Sequence, residues 1–144
     1  MTVGGRGVEA RPPRTSPSRG PWTTFAPYAL AGLLAFSGTM HFVAARAFAS
    51  IVPPQLPSPY GLVYVSGVAE LACAAGLTVP RTRRAAGWAT AALFLAVFPA
   101  NIQMALSADG HSQAYRLGTY ARLPLQVPLI WWAVSVARAS RSPD

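Results

Sequence analysis

A chain of 144 residues allows one domain, and with 52% apolar against 11% charged residues it has too few polar groups to cover a soluble fold, where about a quarter of residues are charged. The net charge is +8 and all 12 basic residues are Arg. These flank long apolar runs, with no basic stripe interleaved with aromatics, which excludes nucleic acid as the partner in favour of anionic lipid headgroups.

Residues 1–21, rich in Gly, Pro, Ser and Arg, cannot bury enough apolar surface to order themselves and read as a disordered basic cytoplasmic tail. The membrane domain is expected over 22–139, with helices at about 24–45, 60–79, 85–106 and 118–138, followed by a short tail over 140–144. The first segment, TFAPYALAGLLAFSGTMHFVAA, carries no carboxylate or Arg. As a helix of about 22 residues it reaches roughly 33 Å, enough for a hydrocarbon core of about 30 Å. The competing reading is a cleaved signal peptide ending at Ala47-Phe48-Ala49. Signal cores run about 7–15 residues, so the longer run favours a retained anchor.

In RAFASIVPPQLPSP, Pro53, Pro54, Pro57 and Pro59 forbid a regular helix. Phe48, Ile51, Val52 and Leu56 keep this connector apolar, so it should lie at the membrane surface or fold back over the bundle. The second segment, YGLVYVSGVAELACAAGLTV, holds one charge, Glu70, near its middle. Its strongly apolar residues contribute roughly −3 kcal/mol to insertion and a central carboxylate costs about as much. This helix therefore needs its neighbours. Its lone cysteine, Cys73, permits no internal disulfide and no CxxC pair, and lies among alanines as a small packing residue.

A tight basic turn, PRTRR, leads to the uncharged third segment, in which Pro99 should place a kink before Asn101 and Gln103. Residues 107–121 read as a polar loop. The fourth segment, RLPLQVPLIWWAVSVA, has an apolar part near 15 residues, about 23 Å as a helix and short for a crossing. A start near Leu117 would bring it to length, with Arg122 reaching up to the headgroups.

Arg6, Arg11, Arg14, Arg19, Arg81, Arg83, Arg84, Arg138 and Arg141 fall on one set of segment ends, and Arg46, Arg116 and Arg122 on the other. The alternation predicts an all-α bundle of four transmembrane helices, with both termini in the cytoplasm of a cell whose plasma membrane it spans. Small-residue pairs that permit close helix approach occur at Ala31/Ala35, Ala69/Cys73, Ala72/Gly76 and Gly87/Ala91.

Under this topology every helix brings polar groups to the outer half of the membrane: His41, Glu70, Asn101 with Gln103, and Arg122 with Gln126. Lipid tails would not tolerate them, so they should face one another or a wet cavity. Glu70, His41, Asn101 and Arg122 are the candidate proton-handling or ligand-binding set, His41 because its imidazole exchanges protons near neutral pH. The bland alternatives are specific. Glu70 could cross-link helices through Asn101 or a backbone carbonyl, His41 could be a plain interfacial histidine, and Arg122 a snorkelling end residue. No metal-ligand spacing, Gly-rich phosphate loop or GxSxG appears, and only His41 sits where a haem ligand would.

The ordered set HFVAARAFASIVPPQLP, YVSGVAEL, VPRTRRAAGW, FPANIQMA and RLPLQ before WW resembles the DoxX family of small bacterial membrane proteins, over about residues 30–133. The resemblance implies a four-helix membrane fold and a link to quinone or sulfur redox chemistry, since relatives include a membrane subunit of thiosulfate:quinone oxidoreductase. A quinone is the cofactor it implies, and other redox proteins or subunits are the implied partners beside the lipid bilayer. The glutamate of YVSGVAEL is Glu70 and the asparagine of FPANIQ is Asn101, with no catalytic role to carry over. The expectation is an accessory or quinone-interacting component without independent enzymatic activity. The alternative is a non-enzymatic transporter-like or scaffold protein whose polar residues only stabilise the bundle.

Overall fold

A computed structural model describes residues 21–140. The expected tail, apart from residue 21, and the last four residues lie outside the described residues. Every element among the described residues is helical: α1 (Pro21–Val43), α2 (Ala45–Ala49), α3 (Pro59–Thr78), α4 (Arg83–Leu106) and α5 (Gln113–Ala139). α1, α3 and α4 are long and apolar enough to cross a membrane.

The four long helices run alternately up and down. Gly38 of α1 meets Gly67 of α3, while Tyr28 lies beside the α3 C-terminus through Arg83. Gly76 of α3 meets Ala86 of α4, and Gly87 of α4 meets Ala137 of α5. Sequence numbers rise on one helix as they fall on its neighbour, which is the antiparallel register. Of the long helices that touch, α1 and α5 pack least closely, with Trp22 and Trp132 facing each other at 6.1 Å between ring centroids.

Where backbones approach this closely a side chain does not fit. A Cβ on Gly67 would stand 2.9 Å from His41 Cβ, and one on Gly87 would stand 3.0 Å from the Ala137 backbone. The interior is built from Leu30, Leu34 and Leu77 with many alanines, and Cys73 is buried among them. The exterior is apolar too: Phe25, Phe36, Val65, Leu95, Val127 and Trp131 all point outward. Helices apolar on every side fit a lipid environment and leave a soluble fold unexplained.

At the α3–α4 turn the last carbonyls of α3 lack helical partners. Arg83 donates from Nε to the Leu77 carbonyl (2.9 Å) and from Nη2 to the Thr78 carbonyl (3.3 Å) and the Tyr28 hydroxyl (3.2 Å). Thr82 Oγ1 donates to the Gly76 carbonyl (2.8 Å).

Three expectations need correction. The fourth long helix begins at Gln113, not near 118, because Ser112 caps it by accepting from the Tyr115 amide at 3.3 Å. The polar loop expected over 107–121 is therefore confined to 107–112. α5 has 27 residues, and its length removes the shortfall inferred from its apolar part alone. The proline-rich connector is not wholly irregular either: Ala45–Ala49 forms a short helix ahead of the prolines, where nothing forbids one.

Candidate functional site

α1 and α3 place His41 and Glu70 side by side at the Gly38/Gly67 crossing. Both are buried, at 8% and 5% exposure. The helix positions follow from small residues, because the approach at Gly67 is what brings the following turn of α3, and with it Glu70, against α1. His41 Nδ1 donates to the Ser37 carbonyl, one turn back on its own helix, at 2.9 Å, and its ring stacks on Phe48 of α2 with centroids 4.2 Å apart. The same Nδ1 is 3.7 Å from Glu70 Oε2, outside hydrogen-bonding distance. The Ser37 side chain lies close enough to hydrogen-bond the Glu70 carboxyl, and the Arg122 guanidinium lines the same cavity.

Among the described residues Glu70 Oε2 is buried with no hydrogen-bond partner, and Ser66 Oγ, one turn earlier on the same face of α3, is in the same condition. Buried polar atoms are almost always paired. Two orphans on one helix face are therefore a signal.

Asn101 behaves differently. Its Nδ2 donates to Gln126 Oε1 at 3.1 Å, and Gln126 Nε2 donates to the Phe94 carbonyl. Phe94 lies five residues before Pro99; the carbonyl that Pro99 leaves without an amide donor is that of Leu95, so Gln126 adds a side-chain bond to the turn just before the kink. This bridge ties α4 to α5 with every amide used. Gln103 is not part of it: its Nε2 donates to Ser107 Oγ at 3.1 Å.

Arg122 of α5 is exposed and its Nη1 lies 3.9 Å from Met104 Sδ. Among the described residues it forms no salt bridge, the two being His41–Glu70 and the exposed Arg116–Asp109.

A cavity of about 460 Å³ lies between the helices in the half of the bundle nearest α2. His41, Glu70, Asn101 and Arg122 all line it, together with Ser66 and Gln126. The four residues singled out from the sequence therefore converge on one space. The rest of its wall is largely aliphatic, from α1, α3, α4 and α5, and the connector closes one end with Ile51, Val52, Pro53 and Leu56. Its size falls within the usual range for small-molecule sites, about 300–1,000 Å³. Among the described residues, no group of three or more His, Cys, Asp or Glu side chains is placed to hold a metal ion.

The sequence reading did not single out Ser66, whose register on α3 is invisible without the partner helices. Nor did it single out Phe48, whose stacking on His41 depends on α2. Gln126 was legible only as a polar group near the start of a segment, not as the centre of a bridge.

The chain matches the family model described as a domain of unknown function (DUF8561) over residues 30–137. The chain belongs to that family. The matched stretch contains all of the cavity-lining residues. No curated protein and no solved structure matches it.

Proposed function

We propose that this is a multi-pass plasma-membrane protein whose four long helices all cross the bilayer, with both termini cytoplasmic. On this reading the cavity in its outer half holds the polar head of a small apolar molecule. The observation that carries this is the pair of buried, unpaired oxygens, Glu70 Oε2 and Ser66 Oγ, facing an otherwise aliphatic cavity. A carboxylate that served only to bind the bundle together would be spent on hydrogen bonds, whereas Oε2 meets His41 only at 3.7 Å. The amide groups of Asn101 and Gln126 show what such a structural bridge looks like here.

Four crossings are supported by α5, whose 27 residues reach about 40 Å. Its Arg122 lines the cavity, not the lipid-facing surface alone. Orientation rests on the basic turn at Arg81, Arg83 and Arg84, which lies at the opposite end of the bundle from the cavity.

The likeness of the sequence motifs to the DoxX proteins supplies the redox part of the reading: an accessory or quinone-interacting component working beside other membrane redox proteins. A quinone fits the residues present, because its ring and tail suit aliphatic walls and its oxygens suit polar groups gathered at one place. His41, Glu70 and Ser66 would hold its head, and Arg122 would set the local charge.

Two experiments test this. A reporter fused after Arg84 should be cytoplasmic, and appearance outside the membrane would overturn the topology. Full-length protein purified in mild detergent should carry extractable quinone. Its absence, with normal growth of a Glu70→Gln strain under sulfur and oxidative stress, would remove the redox reading. The alternative, a scaffold without a ligand, is favoured by one observation, the buried Asn101–Gln126–Phe94 bridge.

A further inference from the structure

We infer that the cavity selects an uncharged, lipid-dissolved molecule whose head is a hydroxyl group, donated to Glu70 Oε2 and accepting from Ser66 Oγ. This rests on the ligand-binding reading above and narrows it to one head-group chemistry.

The two orphaned oxygens lie one helical turn apart on the same face of α3 and both line the cavity. Positions separated by four residues in a helix are neighbours, with Cβ atoms about 5–6 Å apart, so one small group lodged between them can touch both. A carboxylate oxygen only accepts, whereas a serine hydroxyl also donates. A single hydroxyl answers both needs: its hydrogen goes to Oε2 and its oxygen takes the Ser66 hydrogen. A carbonyl or ether oxygen could take the Ser66 hydrogen but has nothing to give an ionised Oε2, so of a quinone couple it is the hydroxyl-bearing quinol that this pair of groups selects.

Charge excludes the ionic heads. An ammonium would suit Glu70 but would share the cavity with the Arg122 guanidinium, which no carboxylate among the described residues neutralises by a salt bridge. An anionic head would suit Arg122 but would sit against Glu70. A neutral donor is compatible with both.

The body of the ligand is set by the walls. Leu33 of α1, Val65 of α3 and Leu125 of α5 line the cavity, yet are 39%, 68% and 54% exposed. Residues that belong both to a cavity wall and to the outer apolar surface mark openings between the helices. These openings face the lipid that the surrounding girdle implies. The ligand therefore reaches Glu70 from the bilayer, with its apolar part against leucines and valines. Water can serve the polar end, where Glu70 and Ser66 lie, but the aliphatic remainder of the wall offers it few of the two to four partners it needs.

The test uses two probes that differ by one donor, 4-octylphenol and its methyl ether 4-octylanisole, with the full chain in phosphatidylcholine nanodiscs. Binding is read from the rise of the thermal midpoint with probe concentration. A hydrogen bond to a charged group predicts that the phenol acts at about a tenfold lower concentration than the ether. Glu70→Leu should abolish this preference, and Ser66→Ala should reduce it. Equal action of the two probes on the unaltered protein overturns the inference, as does a preference that survives Glu70→Leu. Binding of neither probe overturns it as well. Quinone found in the purified protein alongside equal action of the probes would sink the hydroxyl assignment and leave the broader function standing. Donor preference without quinone or stress phenotype would do the reverse.

Discussion

His41 Nδ1 lies 3.7 Å from Glu70 Oε2 across the α1–α3 contact, while the same nitrogen is 2.9 Å from the Ser37 carbonyl of its own helix. The shorter contact takes the Nδ1 hydrogen. The imidazole is therefore oriented by its own backbone and by Phe48, and it stands beside the carboxyl without holding it. A protonated His41 would act on Glu70 through charge alone.

This geometry makes a prediction for stability. If Glu70 were a cross-link, replacing it would cost a hydrogen bond and leave a partner exposed. Because Oε2 has no hydrogen-bond partner among the described residues and meets His41 only at 3.7 Å, Glu70→Leu should leave the thermal midpoint in detergent unchanged or raised. Removing a buried unsatisfied polar group is neutral or favourable, by up to about 1–3 kcal/mol. A fall in the midpoint comparable to that of a core truncation would show that the carboxyl is structural.

The α1–α3 crossing is the second target. A methyl at position 67 would meet Phe42 Cε2 at 2.8 Å, His41 Cβ at 2.9 Å and the Gly38 carbonyl oxygen at 3.1 Å. The phenyl edge can swing away, but the other two atoms belong to the backbone or sit next to it. Gly67→Ala should cost about 1–3 kcal/mol, as overpacking does, and should push the His41 ring from its place. Gly32, with nothing within 4 Å of its built Cβ, supplies the control, and Gly32→Ala should be neutral. Thermal midpoints of the two variants, measured side by side, decide the point. Equal midpoints would mean that the crossing is looser than described.

Much of this was readable from residues. The apolar runs locate α1, α3 and α4 because a helix apolar on all sides needs no partner to declare itself. Glu70, His41, Asn101 and Arg122 stood out because polar side chains at membrane depth are costly wherever they point, and they line one cavity. What could not be read depends on register or on caps. The stretch from Gln113 to Ala121 is polar and looks like loop, yet Ser112 starts a helix there whose first turns lie at the end of the bundle. Gly67 was hidden by the abundance of small residues, of which only a few sit at a true crossing. Ser66 looks like any serine until Glu70 is seen on the same face.

The bridge between α4 and α5 can be measured by a double-mutant cycle. Gln126→Leu strips Asn101 Nδ2 of its acceptor and the Phe94 carbonyl of its side-chain donor at one stroke. It should cost about 1–3 kcal/mol, because buried groups left unpaired bear the full desolvation penalty. Adding Asn101→Leu removes the unpaired Nδ2, so the double variant should be less damaged than the sum of the singles. Strict additivity would show that Asn101 and Gln126 do not interact.

Arg83 is the residue whose role charge counting alone understates. By charge it is one of three arginines in a basic turn expected to hold that end of the bundle in the cytoplasm. Its side chain also closes the end of α3 through the Leu77 and Thr78 carbonyls and reaches α1 at Tyr28, with its guanidinium carbon 5.1 Å from the ring centroid. Arg81 and Arg84 are exposed and appear in none of these contacts. Replacement of Arg83 by Ala should therefore lower the thermal midpoint by the equivalent of about 1–2 kcal/mol, combining lost helix-end hydrogen bonds with a lost cation–π contact. Arg83→Lys keeps the charge but not the planar fork, so it should preserve topology in a reporter assay while recovering little stability. The same pair of substitutions at Arg84 should change neither. If Arg83→Lys were as stable as the unaltered protein, charge alone would account for the residue, and the contacts that close α3 would carry no weight.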